Sequence, residues 1–438
     1  MRTFFTGVCA ALCAVLLLSA PVLPATALTQ DDIPAPAVLM SGDKPSIATD
    51  PTSATSLVVA MDGGEIKGQR FDAGLVALGS VFTIVVGVSI EAPSVTWNAD
   101  DNEWLVVWLD EASPATAHGR IVALDGTFTS EPFLIADQGL ATDTFSDTEL
   151  IYGSYAADHD GYLVAFKATA SPSNCASAYV SWVQADGTVP STVATPVSSD
   201  DPTVRCNPID NGAELAYSTD DSEWTVTWWD GATSQTFARR VIMGATPAAV
   251  GAAFGVGINT RGGSSSIAYD DTRNRMLIGW HNSGDTGGNA VGALVSAAGI
   301  VVPTTVAAGS RTADWRKPRS VYLAATDEYF AALHTHPMGV RLVAVDAETG
   351  KASAPLVLSV NGVRPSISTD GECLWIVWEN AGDISGSTTC PTAEEAPGNA
   401  PELADTGAAE SASLALAALA IVLLGVGLVA LRRRSATA

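Results

Sequence analysis

The pattern of apolar and polar positions repeats along the chain. The apolar run at 102–108, with the sequence NEWLVVW, has imperfect copies at intervals of 45 to 62 residues. A period of this length is typical of a repeat array and not of separate domains. The residues that take the place of Trp108 in the other copies are Ala60, Phe166, Trp228, Trp280, Leu333 and Trp378.

Each copy of the run has the same neighbours. A short strand that ends in a polar turn precedes it, as at 93–98 and 365–370, and a third strand, a hairpin and a fourth strand follow it, as at 124–127 and 132–135. Seven such units of four antiparallel strands predict an all-β, seven-bladed β-propeller. The predicted blades are 45–90, 93–136, 149–198, 213–256, 264–307, 319–359, and 365–389 with 36–41.

The second strand of each unit is apolar on both faces. In the run at 102–108, Trp104, Val106 and Trp108 point to one face, and Leu105 and Val107 point to the other. A strand covered on both sides loses the usual alternation of apolar and polar residues. We therefore expect these tryptophans to lie between stacked blades and not to form an exposed sugar-binding stripe.

The last unit, 365–389, has only three strands. The segment 354–359 leads into 364–370 in the same way that 35–41 leads into 44–50, so the two passages are copies of each other. By this parallel, 35–41 is an outer strand without a blade of its own. We expect it to complete the last unit and close the ring, which removes exposed sheet edges.

The N-terminal segment predicts export from the cell, and the net charge argues against one class of partner, nucleic acids. Residues 1–27 combine Arg2, an apolar run and an Ala-x-Ala site, which predicts a cleaved secretory signal peptide. The predicted propeller then spans 28–390. A formal net charge of −25 argues against nucleic-acid binding.

Four cysteines remain after the leader, which holds Cys9 and Cys13. An even number in an exported protein favours disulfides over a metal site, and no Cys-x-x-Cys pair is present. Cys373 and Cys390 are equidistant from the turn of the last predicted hairpin at 380–382, so they lie opposite each other across it. Cys175 and Cys206 then pair by elimination.

The composition changes after Cys390. A Pro-rich acidic spacer, 391–402, precedes the pentapeptide Leu403, Ala404, Asp405, Thr406 and Gly407. An apolar run of 18 residues, 414–431, follows and ends in three arginines. The run is long enough to cross a bilayer as a helix, and the arginines place its C-terminal end in the cytoplasm.

This tail resembles the sorting signal of Gram-positive cell-wall proteins. The family pattern is Leu-Pro-x-Thr-Gly, and Ala404 stands here in the proline position, as in a Leu-Ala-x-Thr-Gly variant. The resemblance implies that residues 403–438 are a sorting signal and that a sortase cuts after Thr406 and joins it to peptidoglycan. Before that step the precursor spans the membrane through the helix 414–431. The alternative is a plain single-pass anchor.

One face of the predicted ring carries acidic turns between first and second strands. Carboxylates at close spacing suit a calcium ring, but Asp and Asn also close tight hairpins, and no Asp-x-Asp-x-Asp-Gly loop is present. We therefore interpret them as turn residues. They are Asp100, Asp101, Asp158, Asp160, Asp220, Asp221, Asp270 and Asp271.

The other face concentrates basic residues from the last blades and the first, including Lys44. An acidic protein with one basic sector suits an anionic ligand. The alternative is solvated arginines and histidine turn residues, and a metal at His334 and His336 lacks an evident third ligand. The candidate ligand face is Arg261, His281, Arg316, Lys317, Arg319, His334, His336 and Arg364.

Catalysis has little support in the sequence. No Gly-x-Ser-x-Gly, His-Glu-x-x-His or phosphate-binding loop is present, and two segments that approach the sialidase Asp-box miss its glycine or its spacing. The repeats resemble those of bacterial surface propellers. We therefore predict a wall-anchored, non-enzymatic binding or adhesion disc without a cofactor, whose ligand is an anionic glycan or wall polymer. The alternative is an extracellular glycan-active hydrolase.

Overall fold

The strands of the protein form seven four-stranded antiparallel sheets around a central channel, which confirms the predicted all-β, seven-bladed propeller. The computed structural model describes residues 28–87, 90–110, 115–140, 151–170, 175–198, 213–230, 233–257, 265–282, 289–307, 314–336 and 339–391. The first strands of neighbouring blades contact each other around the channel, so they are the innermost strands.

The first four blades follow the chain in order. Their strands are β2 (Asp43–Thr49), β3 (Ser56–Asp62), β4 (Glu65–Phe71) and β5 (Phe82–Val86); β6 (Ile90–Asn98), β7 (Glu103–Asp110), β8 (Ala115–Ala123) and β9 (Phe133–Leu140); β10 (Ile151–Ala156), β11 (Gly161–Ala170), β12 (Cys175–Gln184) and β13 (Thr195–Pro196); β14 (Glu214–Ser218), β15 (Glu223–Asp230), β16 (Gln235–Met243) and β17 (Pro247–Gly257).

The last three blades include the N-terminal strand β1. Their strands are β18 (Ser265–Asp270), β19 (Arg275–Asn282), β20 (Asn289–Ser296) and β21 (Val301–Ala307); β22 (Asp314–Leu323), β23 (Glu328–His336), β24 (Val340–Asp346) and β25 (Leu356–Ser359); β26 (Val363–Thr369), β27 (Leu374–Asn380), β28 (Asp383–Thr389) and β1 (Ala37–Ser41). Single 3-10 turns lie at Gln30–Asp32 and Ala157–His159.

The core consists of hydrophobic layers between adjacent blades. Among the described residues there are seven such clusters, one for each interface, including the interface between blades 7 and 1. In β7, Trp104 and Trp108 pack towards blade 1, whereas Leu105 and Val107 pack towards blade 3. The second strands are therefore apolar on both faces because each face is covered by a neighbouring blade. All seven sheets and the clusters between them lie within 28–391.

The turns between first and second strands share a backbone conformation just before the second strand. The residue immediately before that strand has a left-handed backbone in five blades, with φ between 46° and 58°. Asn and Asp tolerate this conformation better than most residues. The five positions are Asn102, Asp160, Ser222, Asn274 and Asp327.

The N-terminal segment lies along the last blade. Strand β1 pairs antiparallel with β28, from Ala37 opposite Gly386 to Ser41 opposite Asp383. The chain before it is held by hydrogen bonds to two blades. The Gln30 side-chain amide bonds the backbone N–H and carbonyl of Val357 in blade 6 at 2.8 and 2.9 Å, and the Thr389 hydroxyl of blade 7 donates to the Asp32 carbonyl at 3.0 Å. The edge of β28 is thereby covered instead of being open to another chain.

The last hairpin contains the predicted disulfide. Cys373 and Cys390 are joined, with Cα atoms 4.0 Å apart, at the open end of the β27–β28 pair. The turn is shorter than predicted: Asn380 pairs with Asp383, and only Ala381 and Gly382 connect the strands, both with positive φ. A two-residue turn of this kind matches the twist of the strands.

Several predicted features lie outside the described residues. These are the signal peptide at 1–27, all but the first residue of the spacer 391–402, the sorting signal at 403–438 with its helix 414–431, Arg261, and Cys206, the expected partner of Cys175. Within the part of the chain that is described, no helix has the length and apolarity needed to cross a membrane.

Candidate functional site

One level of the central channel is built from seven equivalent positions, one in each first strand. Each of these residues pairs with the second-strand residue that comes just before the equivalent of Trp108. Ser94 pairs in this way with Val107, and Arg319 pairs with Ala332. We call this set the channel layer. Its members are Ser46, Ser94, Tyr152, Glu214, Ser266, Arg319 and Ser366.

A proline bulge precedes the channel layer in four blades. The register of the first strand shifts immediately before Ser46, Ser94, Arg319 and Ser366, where the sequence places a proline. Proline has no N–H to donate to the ladder, so it is tolerated at bulges and strand starts.

The residue before the proline is basic in three consecutive blades, 6, 7 and 1. These residues are Lys317, Arg364 and Lys44, and we call the three positions the basic rim. Lys44 and Arg364 share a φ of 50°. The Arg364 guanidinium bonds the Glu379 carboxylate at 2.6 Å, and the Lys44 backbone N–H approaches the same oxygen at 3.5 Å. The rim therefore carries cationic positions with a partial counter-charge at its base.

Arginine replaces serine in the channel layer of blade 6, and its side chain crosses the channel. The Arg319 guanidinium forms an ion pair with Glu214 of blade 4 and donates a hydrogen bond to the Tyr152 hydroxyl of blade 3. It also lies 4.8 Å from the centre of the Tyr152 ring. The Arg319 and Glu214 side chains are only 11% and 9% exposed. Burial lowers the pKa of Arg319 to about 9, so it remains a cation at neutral pH.

The serines of the channel layer connect neighbouring blades. Ser366 Oγ accepts the backbone N–H of Ile47 at 3.3 Å, and Ser46 Oγ accepts that of Val95 at 3.2 Å. Ser266 Oγ lies 3.0 Å from Ser320 Oγ of the next blade. A hydroxyl that accepts an N–H still has its own proton to donate. These serines can therefore hold the ring together and bond a ligand in the channel.

The channel layer and Lys44 of the rim line a cavity of about 220 Å³. Lys44, Tyr152, Glu214, Arg319 and three layer serines contribute to its lining. Hydroxyls, a guanidinium and a carboxylate are thus presented together, with Lys44 towards the side where the first strands begin. Chemically, this suits a small hydroxylated group that carries a negative charge.

The predicted ligand face is only partly brought together. Arg319 was predicted on the ligand face but lies inside β22, at the channel-layer position, where its side chain is only 11% exposed. Arg364 lies at the rim, His281 is buried in β19 with 8% exposure, and His334 lies in β23 opposite Arg316. The backbones of Arg316, Lys317 and His336 belong to β22 and β23.

Tyr152 and Glu214 were not predicted as site residues. Neither follows a proline, and each lies far along the chain from Arg319. The signal that could have found them is the repeat itself, because they occupy positions that are serine in four other blades.

The opposite face uses its carboxylates to join blades. The Tyr155 hydroxyl of blade 3 donates to Asp100 of blade 2 at 2.6 Å, Tyr217 of blade 4 donates to Asp158, and Tyr269 of blade 5 donates to Asp220 at 3.2 Å. Burial raises the pKa of Tyr155, so its hydroxyl stays protonated and can donate.

The acidic turns also bond their own backbone. Asn98 Oδ1 accepts the Asp100 N–H, and Asp270 Oδ1 accepts the Thr272 N–H, both at 2.9 Å. In the described part of the chain no three His, Cys, Asp or Glu side chains are grouped to hold a metal ion.

A second cavity, of about 700 Å³, opens between blades 2 and 3 on this opposite face. Its lining includes Asp101, Glu103, Asp160, Asp186 and Trp182. Burial raises the pKa of Glu103 to about 7, with a further increase from the charge of Asp101 that the hydrogen bond from Thr129 opposes. A carboxyl group of this kind can exchange a proton near neutral pH.

Comparison with known proteins assigns the C-terminus. Residues 397–436 match the family model of the LPXTG cell wall anchor motif. No curated protein matches the chain. The protein is therefore a cell-wall-anchored surface protein with a propeller fold. The anchor motif implies processing by a sortase and linkage to peptidoglycan.

Solved structures are similar in fold alone. A chain of hydrazine synthase from Kuenenia stuttgartiensis is 10% identical over 79% of this chain and 95% of its own, with a TM-score of 0.50. A prolyl endopeptidase is 11% identical over 81% of this chain, with a TM-score of 0.46, and this chain spans about half of that protein, 51%. The Dos1 propeller is 9% identical over 81% and 93% of the two chains, with a TM-score of 0.46.

Proposed function

We propose that the propeller is a non-enzymatic binding disc, displayed on the cell wall, that captures an anionic glycan or wall polymer at the basic rim. The observation that carries this proposal is the basic residue before the bulge proline in three consecutive blades, at Lys317, Arg364 and Lys44. The rest of the protein is acidic, with a net charge of −25 for the whole chain. A polyanion should therefore approach the protein at this sector in preference to its acidic surfaces.

The same proposal includes the path to the wall. Residues 1–27 direct export, the helix 414–431 holds the precursor in the membrane with its C-terminus in the cytoplasm, and sortase joins Thr406 to peptidoglycan. Residues 391–402 then act as a spacer between the wall and the propeller. Changing Thr406 to Ala should leave the protein extractable by detergent. Release of the variant only by enzymes that digest the wall would contradict this part of the proposal.

The binding test uses the ectodomain 28–391 and two immobilised polyanions, polygalacturonate and inorganic polyphosphate. We expect binding that weakens as salt is raised, because screening shortens the range of the rim charges. The combined substitutions Lys44→Ser, Lys317→Ser and Arg364→Ser should remove it. The matched control is Lys351→Ser, an exposed lysine in a turn of the opposite face. A wild-type ectodomain that binds neither polymer at low salt contradicts the proposal.

The second candidate, a glycan-active hydrolase, is favoured by one observation. Glu103 lines the larger cavity with three aspartates, and its pKa of about 7 suits a general acid. If this candidate holds, the ectodomain should release reducing ends from a glycan, and Glu103→Gln should abolish that release without unfolding the protein. The Lys44, Lys317 and Arg364 substitutions should then have no effect on it.

A further inference from the structure

We propose that the propeller recognises the end of its ligand: the terminal residue of an acidic glycan enters the cavity that the channel layer and Lys44 of the basic rim line. This inference rests on the proposed function. The acidic group of the residue stays at the rim, and its ring hydroxyls meet the channel layer.

The first argument is that the channel is crossed by a side chain. Arg319 starts in blade 6 and is held at its far end by Glu214 of blade 4 and Tyr152 of blade 3. An extended polymer cannot pass through the channel at this level while both contacts are made. A chain that enters from the rim therefore has to enter with its end.

The second argument is size. The cavity of about 220 Å³ is smaller than the roughly 300–1,000 Å³ of pockets that enclose drug-sized ligands. It has room for a single sugar residue and not for a length of chain. Lys44 and Ser46 of the same blade both line it, so a single sugar ring can reach a rim cation and a layer hydroxyl together.

The third argument is the chemistry of the layer. The Arg319–Glu214 pair is neutral as a whole, so it does not select for charge, but its fork of N–H donors and its carboxylate acceptor suit neighbouring hydroxyl groups. Ser46 and Ser366 add hydroxyls whose oxygens already accept a backbone N–H. Selection for the negative charge is left to the rim.

The test compares polygalacturonate with fragments of itself. Partial hydrolysis raises the number of chain ends at constant mass, so end recognition predicts that the potency of the fragments as competitors, per unit mass, rises in proportion to the number of ends. Free galacturonate should compete, and galactose, which lacks the acidic group, should compete at least about tenfold less well.

Two substitutions on the same strand distinguish an effect on ligand binding in the cavity from an effect on the fold. Tyr152→Phe removes a hydroxyl that lines the cavity and should weaken binding by roughly 2- to 10-fold. Tyr155→Phe, three residues further along, removes a hydroxyl that bonds Asp100 on the other face and should not change the affinity.

The outcomes distinguish the two proposals. Competition that is independent of chain length, or that declines on fragmentation, overturns end recognition and leaves binding at the rim intact. Equal effects of Tyr152→Phe and Tyr155→Phe on affinity also overturn it. Failure of the wild-type ectodomain to bind polygalacturonate overturns end recognition, and failure with polyphosphate as well overturns the proposed function too.

Discussion

The two ends of the first strands differ in whether their side-chain contacts recur from blade to blade. Tyr155 bonds a carboxylate of the preceding blade, and Tyr217 and Tyr269 do the same in the next two blades. Tyr152, three residues earlier on the same strand as Tyr155, instead meets Arg319 from across the channel. A contact that recurs from blade to blade belongs to the construction of the ring. A contact made once, by residues that depart from the repeat, is a candidate for function.

The channel layer shows the cost of such a departure. Serine in this layer joins neighbouring blades through the backbone N–H groups of Ile47 and Val95. Replacing it by Glu214 and Arg319 buries two charges, and the desolvation of a buried ion pair cancels much of its attraction. The pair therefore adds little to the stability of the ring. We therefore interpret the Arg319–Glu214 pair as a ligand-binding feature and not as a stabilising one.

The largest effect on stability is expected from opening the ring, because the contacts at both ends of the first strands need a closed ring. Deleting residues 28–42 removes β1, including Leu39 and Met40, and exposes the edge of β28. Loss of the burial of these two apolar side chains and of the strand pairing should lower the free energy of unfolding by about 5 kcal/mol. Thermal melting and size-exclusion chromatography measure this. A truncated ectodomain that is monomeric and melts as before contradicts the closure of the ring by β1.

The next effect concerns the pair that departs from the repeat. Arg319→Met leaves Glu214 buried without its counter-charge and should lower the free energy of unfolding by about 3–5 kcal/mol. Adding Glu214→Leu should restore most of that loss, because the uncompensated charge is then gone. Urea unfolding of both variants gives the answer. If the double variant is no more stable than Arg319→Met, Glu214 is not the partner that matters.

The strand order and the last disulfide could be predicted from the sequence, because both depend on local periodicity. The apolar runs of the second strands gave the number of blades, and the symmetry of Cys373 and Cys390 about one turn gave their pairing. The channel site could not be predicted in the same way. Arg319 and Tyr152 are 167 residues apart, and their contact depends on the curvature of the whole ring.

A smaller effect is expected where the contacts recur. Tyr155→Phe removes one hydrogen bond to a carboxylate at an exposed turn and should cost about 1 kcal/mol of stability. The same substitution at Tyr269 should cost a similar or smaller amount, since its bond to Asp220 is longer. Denaturant unfolding measures both. A large loss of ligand affinity in either variant would show that the recurring contacts also take part in binding.

The smallest effect concerns the pH dependence at the second cavity. The pKa of Glu103 in the folded protein, about 7, lies above its ordinary value of 4.5. Between these values the unfolded chain loses the proton while the folded one keeps it, so this group makes the protein less stable as pH rises from about 4.5 to 7. Glu103→Gln should therefore gain in melting temperature relative to the wild type between pH 5 and pH 8. A constant difference over this range contradicts the raised pKa.

The central claim is that the basic rim and the channel layer bind the ligand, whereas the tyrosine–carboxylate contacts of the opposite face hold the ring. The most direct measurement is the affinity of two double variants of the ectodomain for polygalacturonate at low salt, both checked for folding by thermal melting. We predict that Lys44→Ser with Arg364→Ser loses binding but remains folded, whereas Tyr155→Phe with Tyr217→Phe melts lower than the wild type and binds as the wild type does. Binding that survives the first pair and is lost with the second contradicts the account.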